Sequence, residues 1–214
     1  MNRFFNHGQG AAANVNFSDP ETKILEKLDG TLLIVYHDSV MNDWCCATRA
    51  VPDADLAVNG FESTFTDLFW KACTHTTSLT KEAFCALLQP GNTYVFELCT
   101  PDNQVVVYYK DYLIYLLTVR NNLLDKELMN KLSFVELKSY VPTPNEYRFG
   151  NIAEMVDYVS TQNPSTYEGV VVCDKDFNRV KIKNPGYMAL SKIKDSVVKS
   201  PRALMEIILL EKED

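Results

Sequence analysis

The chain has 214 residues, 46% of them hydrophobic and 23% charged, with 8 Gly and 9 Pro, a globular composition that excludes disorder, collagen and low complexity. No run approaches the roughly 18 consecutive apolar residues of a membrane span. Met1 to Asn6 lacks the basic-then-apolar pattern of a signal peptide, so the expectation is a cytoplasmic protein with no membrane partner. The net charge of −7 argues on average against a nucleic-acid partner, yet eight basic side chains face only Asp176 and Asp195 between Lys175 and Arg202. That stretch can be a solvated basic helix or a phosphate-binding surface. The six cysteines form no Cys-x-x-Cys pair, and the three histidines are scattered, so reduced thiols are expected and a zinc knuckle is not. No Gly-x-Ser-x-Gly elbow, Walker loop or Gly-x-Gly-x-x-Gly fingerprint is present.

Residues 1–22 read as an irregular entry closed by Ser18-Asp19-Pro20. Apolar runs at Ile24–Leu28 and Leu32–Tyr36 flank Asp29-Gly30, which predicts a hairpin, and a further strand is expected around Trp44–Thr48. Helical spacing over Phe61–Cys73, and over Lys81–Leu88 behind the cap candidate Thr80, predicts two helices. The β-formers at Tyr94–Leu98, Val105–Tyr109 and Tyr112–Val119 predict three antiparallel strands. Asn151–Thr161 reads as a helix, Glu168–Val172 with Arg179–Lys183 as a hairpin, and Tyr187–Lys194 and Pro201–Lys212 as closing helices. The fold class is α+β, antiparallel sheets flanked by helices, with a main domain over residues 1–195 and a helical tail over 196–214.

Candidate chemistry gathers on a few charged residues. Lys27 ends a strand, just before a glycine that lets phosphates approach the backbone. A lysine attacks only where burial or neighbouring positive charge favours its neutral amine, and a lone Lys-x-Asp-Gly is more often a plain turn. Glu97 and Glu168 are carboxylates in apolar strand runs, and each taken singly fits an outward-facing strand position equally well. If Asp29, Glu97 and Glu168 face one cleft, oxygen-only ligation suits magnesium. Lys181 and Lys183 share a strand face, where a triphosphate would satisfy both, and Tyr187 follows.

The ordered set Lys27-x-Asp29-Gly30, Thr48-Arg49, Phe96-Glu97, Leu116–Arg120, Glu168–Val171 and Lys181-x-Lys183 with Tyr187 resembles the successive motifs of covalent nucleotidyltransferases. It is most similar to phage-type ATP-dependent RNA ligases of the tRNA-repair kind. Pro101-x-Asn103, Val119-Arg120-Asn121, the Lys-x-Lys-x-x-x-Tyr-x-x-Leu ending at Leu190 and Arg3-Phe4-Phe5-Asn6 carry the likeness along nearly the whole chain.

The resemblance implies a nucleotidyltransferase domain and a three-step reaction. Lys27 takes AMP from ATP, AMP passes to an RNA 5′-phosphate, and a 3′-hydroxyl displaces it to seal a tRNA-like or other single-stranded break. It implies Lys27 as nucleophile; Asp29, Glu97 and Glu168 on magnesium or manganese through its waters; and Lys181 and Lys183 at the α-phosphate. Arg49 would bind a phosphate or the ribose side, and Tyr187 would serve either the phosphate end or core packing. A capping-type guanylyltransferase shares the lysine chemistry, and a nucleotide- or RNA-binding module without turnover would retain the fold. Thr31 stands where serine is usual and Ala50 where glycine is common. Ligases of this kind carry an upstream strand and a C-terminal RNA-recognition domain, so a minimal ligase or a catalytic core is expected.

Overall fold

The structure is a computed structural model that describes residues 4–17, 19–55, 57–58, 63–128 and 132–199. Its first sheet joins β1 (Phe5–Asn6), β2 (Lys23–Glu26), β8 (Glu146–Tyr147), β9 (Gly169–Cys173) and β10 (Arg179–Lys183) in the order β1-β10-β9-β2-β8. Its second joins β3 (Thr31–Asp38), β4 (Asp43–Thr48), β5 (Asn92–Cys99), β6 (Leu113–Asn121) and β7 (Lys126–Glu127) in the order β4-β3-β5-β6-β7. All pairings are antiparallel except β1 with β10. The helices are α1 (Phe65–Thr77), α2 (Lys81–Cys85), α3 (Leu132–Leu137), α4 (Ile152–Thr161) and α5 (Pro185–Lys199).

Period-two alternation divides each strand between a core and the space separating the sheets. On β3, Leu33 and Val35 enter the core shared with Leu68 and Phe69 of α1, while Leu32 and Ile34 line the cleft. On β5, Tyr94, Phe96 and Leu98 are buried in that core and Val95 and Glu97 face the cleft. In the other sheet, Val170, Val172, Val180 and Ile182 pack with Met155 and Val159 of α4, leaving Val171, Arg179 and Lys181 to the cleft. Two helix-backed sheets therefore turn their alternate residues toward one another.

Local signals explain the helix starts. Thr64 caps α1 in a capping box, its hydroxyl accepting from the Asp67 amide while Asp67 accepts from the Thr64 amide, so α1 begins at Phe65. Phe61, with which the predicted helix opens, lies outside the described residues. Thr64→Ala is expected to cost about 1 kcal/mol, read by chemical denaturation. Thr80 caps α2 as the sequence predicts, and Asn151, with which the predicted helix opens, is the cap of α4. The six cysteines are free, and burial pushes the Cys46 thiol up to about 12.

Several elements differ from expectation, α2 among them, which ends at Cys85 rather than Leu88. Asp29-Gly30 is not a hairpin turn, because β2 and β3 belong to different sheets and Lys27–Gly30 is the crossover between them. Glycine is required at position 30 all the same: a Cβ there would lie 2.3 Å from the Leu98 carbonyl oxygen of β5. Val105–Tyr109 is not a strand but an irregular segment whose amides at Val106 and Val107 are taken by a side chain, Asp29, rather than by a ladder. The closing helix continues unbroken through position 195 to Lys199, and the one predicted over Pro201–Lys212 lies outside the described residues. No helix among the described residues is long and apolar enough to cross a membrane.

Candidate active site

Between the sheets lies a cleft of about 860 Å³, within the range of small-molecule sites. Leu25, Leu32, Ile34, Val95, Leu117 and Val171 supply apolar walls, while Lys27, Arg49, Glu97, Arg179 and Lys181 supply charge. Lys27 reaches it because the crossover is tied at both ends. Its amide donates to the Gly169 carbonyl at 2.8 Å, and the Gly30 amide donates to Glu97 Oε1 at 3.2 Å. Gly169 sits at φ +147°, where a Cβ would lie 2.1 Å from the Ile182 carbonyl oxygen, so this approach also demands glycine.

Glu168 is the hub of the cationic side. Its carboxylate accepts from Lys27 Nζ at 2.8 Å through one oxygen and from Lys183 Nζ at 2.7 Å through the other, with its side chain only 3% exposed. Lys181 shares the face of Lys183, with its Nζ 5.5 Å from the Phe4 ring centroid. Burial lowers the Lys181 pKa, and the charges of Lys183, Lys27 and Arg49 add to the shift despite the opposing pull of Glu168. Such crowding of cations favours an anionic guest. Arg49 follows β4 on the cleft wall and is exposed.

Glu97 is half-buried on the cleft side of β5, and the Gly30 amide is its hydrogen-bond partner among the described residues. Burial pushes its carboxyl up to about 7; Lys27 opposes the shift, while Glu168 and Asp29 reinforce it. Since the folded value lies above the unfolded value of 4.5, ionising Glu97 costs stability as pH rises through that window. The gain in melting temperature of Glu97→Gln over the parent should therefore grow between about pH 5 and about pH 8 in metal-free buffer. A gain independent of pH would contradict this.

Asp29 and Tyr187 are placed differently from the metal and phosphate roles that the sequence suggested. Asp29 is 4% exposed and its carboxylate is engaged at both oxygens. Oδ2 accepts from the Val106 and Val107 amides at 2.8 and 2.7 Å, and Oδ1 accepts from the Tyr187 hydroxyl at 2.6 Å. Burial, with the bond to Asp29, pushes the Tyr187 phenol up and keeps it a donor. Tyr187 is itself buried, which favours the packing alternative. Among the described residues no group of three or more His, Cys, Asp or Glu is arranged to hold a metal ion. Protein donors take the trio's oxygens: lysines hold both oxygens of Glu168, and amides and a phenol hold those of Asp29.

Sequence reasoning missed Arg179. It lies on the cleft face of β10, two residues before Lys181, so the same alternation that marked the lysines could have marked it. Its guanidinium grips Glu127 of β7 with two bonds of 2.8 and 2.6 Å, and Glu127 also accepts from the Thr118 hydroxyl of β6 at 2.7 Å. This bidentate pair bridges the two sheets. Arg120, at the end of the Leu116–Arg120 motif, turns instead to Asp125.

A family model described as RNA ligase matches residues 1–187. An RNA ligase of Rhodothermus phage RM378 is 27% identical over 233 residues, covering 90% of this chain and 50% of the relative. The chain thus spans about half the length of the curated relative it matches. Among solved structures, a point mutant of the Naegleria gruberi RNA ligase with ATP and Mn has TM-score 0.58 at 16% identity, covering 80% of this chain and 51% of that one. An archaeal ATP-dependent RNA ligase has TM-score 0.57 at 16% identity, covering 81% and 44%. At such identity the likeness establishes a shared fold.

Proposed function

Because the chain belongs to the RNA ligase family, whose model matches residues 1–187, we propose that it is the nucleotidyltransferase core of an ATP-dependent RNA ligase. The core is assigned to residues 1–195 and a C-terminal tail to 196–214, whose first residues continue α5. The observation that carries the reading is Lys27 held at the edge of a nucleotide-sized cleft, hydrogen-bonded to a carboxylate that also holds Lys183. The neutral amine of Lys27 forms a bond from Nζ to the α-phosphorus of ATP as the bond to the pyrophosphate oxygen breaks, and the proton shed by the nitrogen passes to solvent. The AMP then passes to an RNA 5′-phosphate, and an RNA 3′-hydroxyl displaces it to seal the strand.

The chain's own residues position and neutralise. Glu168 aims Lys27, and Lys181 and Lys183 meet the incoming phosphates, which draw Lys183 from Glu168. Arg49 offers a cation at the cleft wall, and the apolar walls take the base. A magnesium or manganese ion arriving with the triphosphate would be held by Glu97 and, through water, by Glu168. The donor set fits an ion that keeps most of its waters and takes one or two carboxylates plus phosphates. Such an ion supplies charge neutralisation at the phosphates. Asp29 does not fit as its ligand, because its oxygens are occupied.

The reading is tested by intact mass after incubation with ATP and magnesium, with GTP as the parallel arm. One added AMP is the expected result. An adduct with GTP alone would assign a capping-type guanylyltransferase, and no adduct with any nucleotide or divalent metal would overturn the covalent reading. The proposed partners are ATP and RNA ends, and the proposed compartment is the cytoplasm, the host's if a phage encodes the chain.

A further inference from the structure

We propose that Lys194 is a positioning residue, which acts on the nucleophile segment through the strap formed by residues 104–109. The strap lies between α5 and the Lys27–Gly30 crossover, and it is held from both sides. On the α5 side, Lys194 Nζ donates to the Gln104 carbonyl at 2.8 Å and to the Val105 carbonyl next to it. On the crossover side, the next two amides, those of Val106 and Val107, converge on Asp29 Oδ2, and the Asp29 amide donates to the Tyr109 hydroxyl at 3.2 Å. The carbonyls of Gln104 and Val105 and the amides of Val106 and Val107 are thus each spoken for. A segment rich in β-formers holds an irregular path with no sheet ladder to support it.

The same helix closes the ring. Tyr187 and Lys194 are seven residues apart on α5, close to two turns, and so occupy one face. Tyr187 binds Asp29 Oδ1 directly, while Lys194 reaches Asp29 by way of the strap. Tyr187 is buried and Lys194 is exposed, so the buried contact serves the core whereas the exposed one can be lost without opening it. Asp29 stands two residues after Lys27. A strap released from α5 would leave Asp29 with its tyrosine alone and the crossover free to shift by fractions of an ångström. In-line attack is sensitive to displacements on that scale.

The proposal rests on the ligase reading for its kinetic consequence but not for its structural one, and the experiment separates them. Lys194→Met keeps the length of the stem and removes the donors; Lys194→Arg restores them. In the full chain, amide exchange at Val106 and Val107 should accelerate in Lys194→Met and return toward the parent rate in Lys194→Arg, with the melting temperature nearly unchanged. Single-turnover lysine–AMP formation at saturating ATP should fall by roughly tenfold in Lys194→Met, with ATP affinity unaltered. Unchanged exchange at both amides would overturn the proposal, and so would unchanged single-turnover kinetics in a parent that forms the adduct. A fall confined to ATP affinity would also overturn it. If the parent forms no adduct, the ligase reading fails and exchange alone decides the strap.

Discussion

Lys27→Ala is expected to carry no covalent nucleotide at all, while folding as the parent does. The side chain is 21% exposed and its ion pair with Glu168 is shared, so its removal leaves Glu168 neutralised by Lys183 at 2.7 Å. Glu168 is therefore not stranded, and a loss of about 1.5–3 kcal/mol, that of one hydrogen bond to a charged group, is expected by denaturation. Chemistry should respond in an all-or-none way, since no other amine takes the place of a nucleophile tied through its own amide to Gly169 and through the crossover to Glu97. Lys27→Arg sharpens the test. A guanidinium retains the charge and the contact with Glu168 but is not a nucleophile at accessible pH, so this variant should bind ATP and remain unmodified. An adduct of AMP surviving in Lys27→Ala, seen by intact mass and mapped by peptide sequencing, would assign the nucleophile elsewhere.

The largest loss of stability is expected for Arg179→Ala, about 3–5 kcal/mol, because it strands a buried carboxylate. Arg179 and Glu127 are each 7% exposed at the side chain and hold one another with two hydrogen bonds across the sheet-to-sheet gap. Burial alone would raise the Glu127 carboxyl, but the guanidinium and the Thr118 hydroxyl outweigh it and hold the carboxyl below its usual range. The folded value lies below the unfolded one. The contribution of this pair is therefore fully present above the ordinary carboxylate range and is lost as pH falls through the depressed value. Urea denaturation near neutral pH should show the full deficit of Arg179→Ala, shrinking toward acid. The double variant Arg179→Met with Glu127→Leu should recover much of it, since neither charge is left unpaired. Equal losses in the single and double variants would assign the effect to packing instead.

These two residues show how differently chemistry and architecture are written into the chain. Lys27 stands out in the sequence because Asp-Gly follows it between apolar runs, and Glu97 because a carboxylate interrupts Tyr94–Leu98. Arg179 carries no such flag. Its partner Glu127 lies 52 positions away on a two-residue strand that no periodicity announces.

By itself the sequence determined whatever depends on near neighbours. Side-chain alternation placed Lys181 and Lys183 on one face and Glu97 opposite Phe96, and the cap at Thr80 set a helix start, because these are properties of three or four consecutive residues. The ordered motifs carried the family and, with it, the proposed roles of Lys27, Glu97 and Glu168. Only the tertiary structure decided that Lys27–Gly30 crosses between two sheets, that Asp29 spends its carboxylate on Val106, Val107 and Tyr187, and that Lys194 clamps the strap. The physical reason is the reach of those contacts. Asp29 meets its partners 77, 78 and 158 positions away, so which hydrogen bonds satisfy it is fixed by how two separately built sheets close on one another, not by any local pattern.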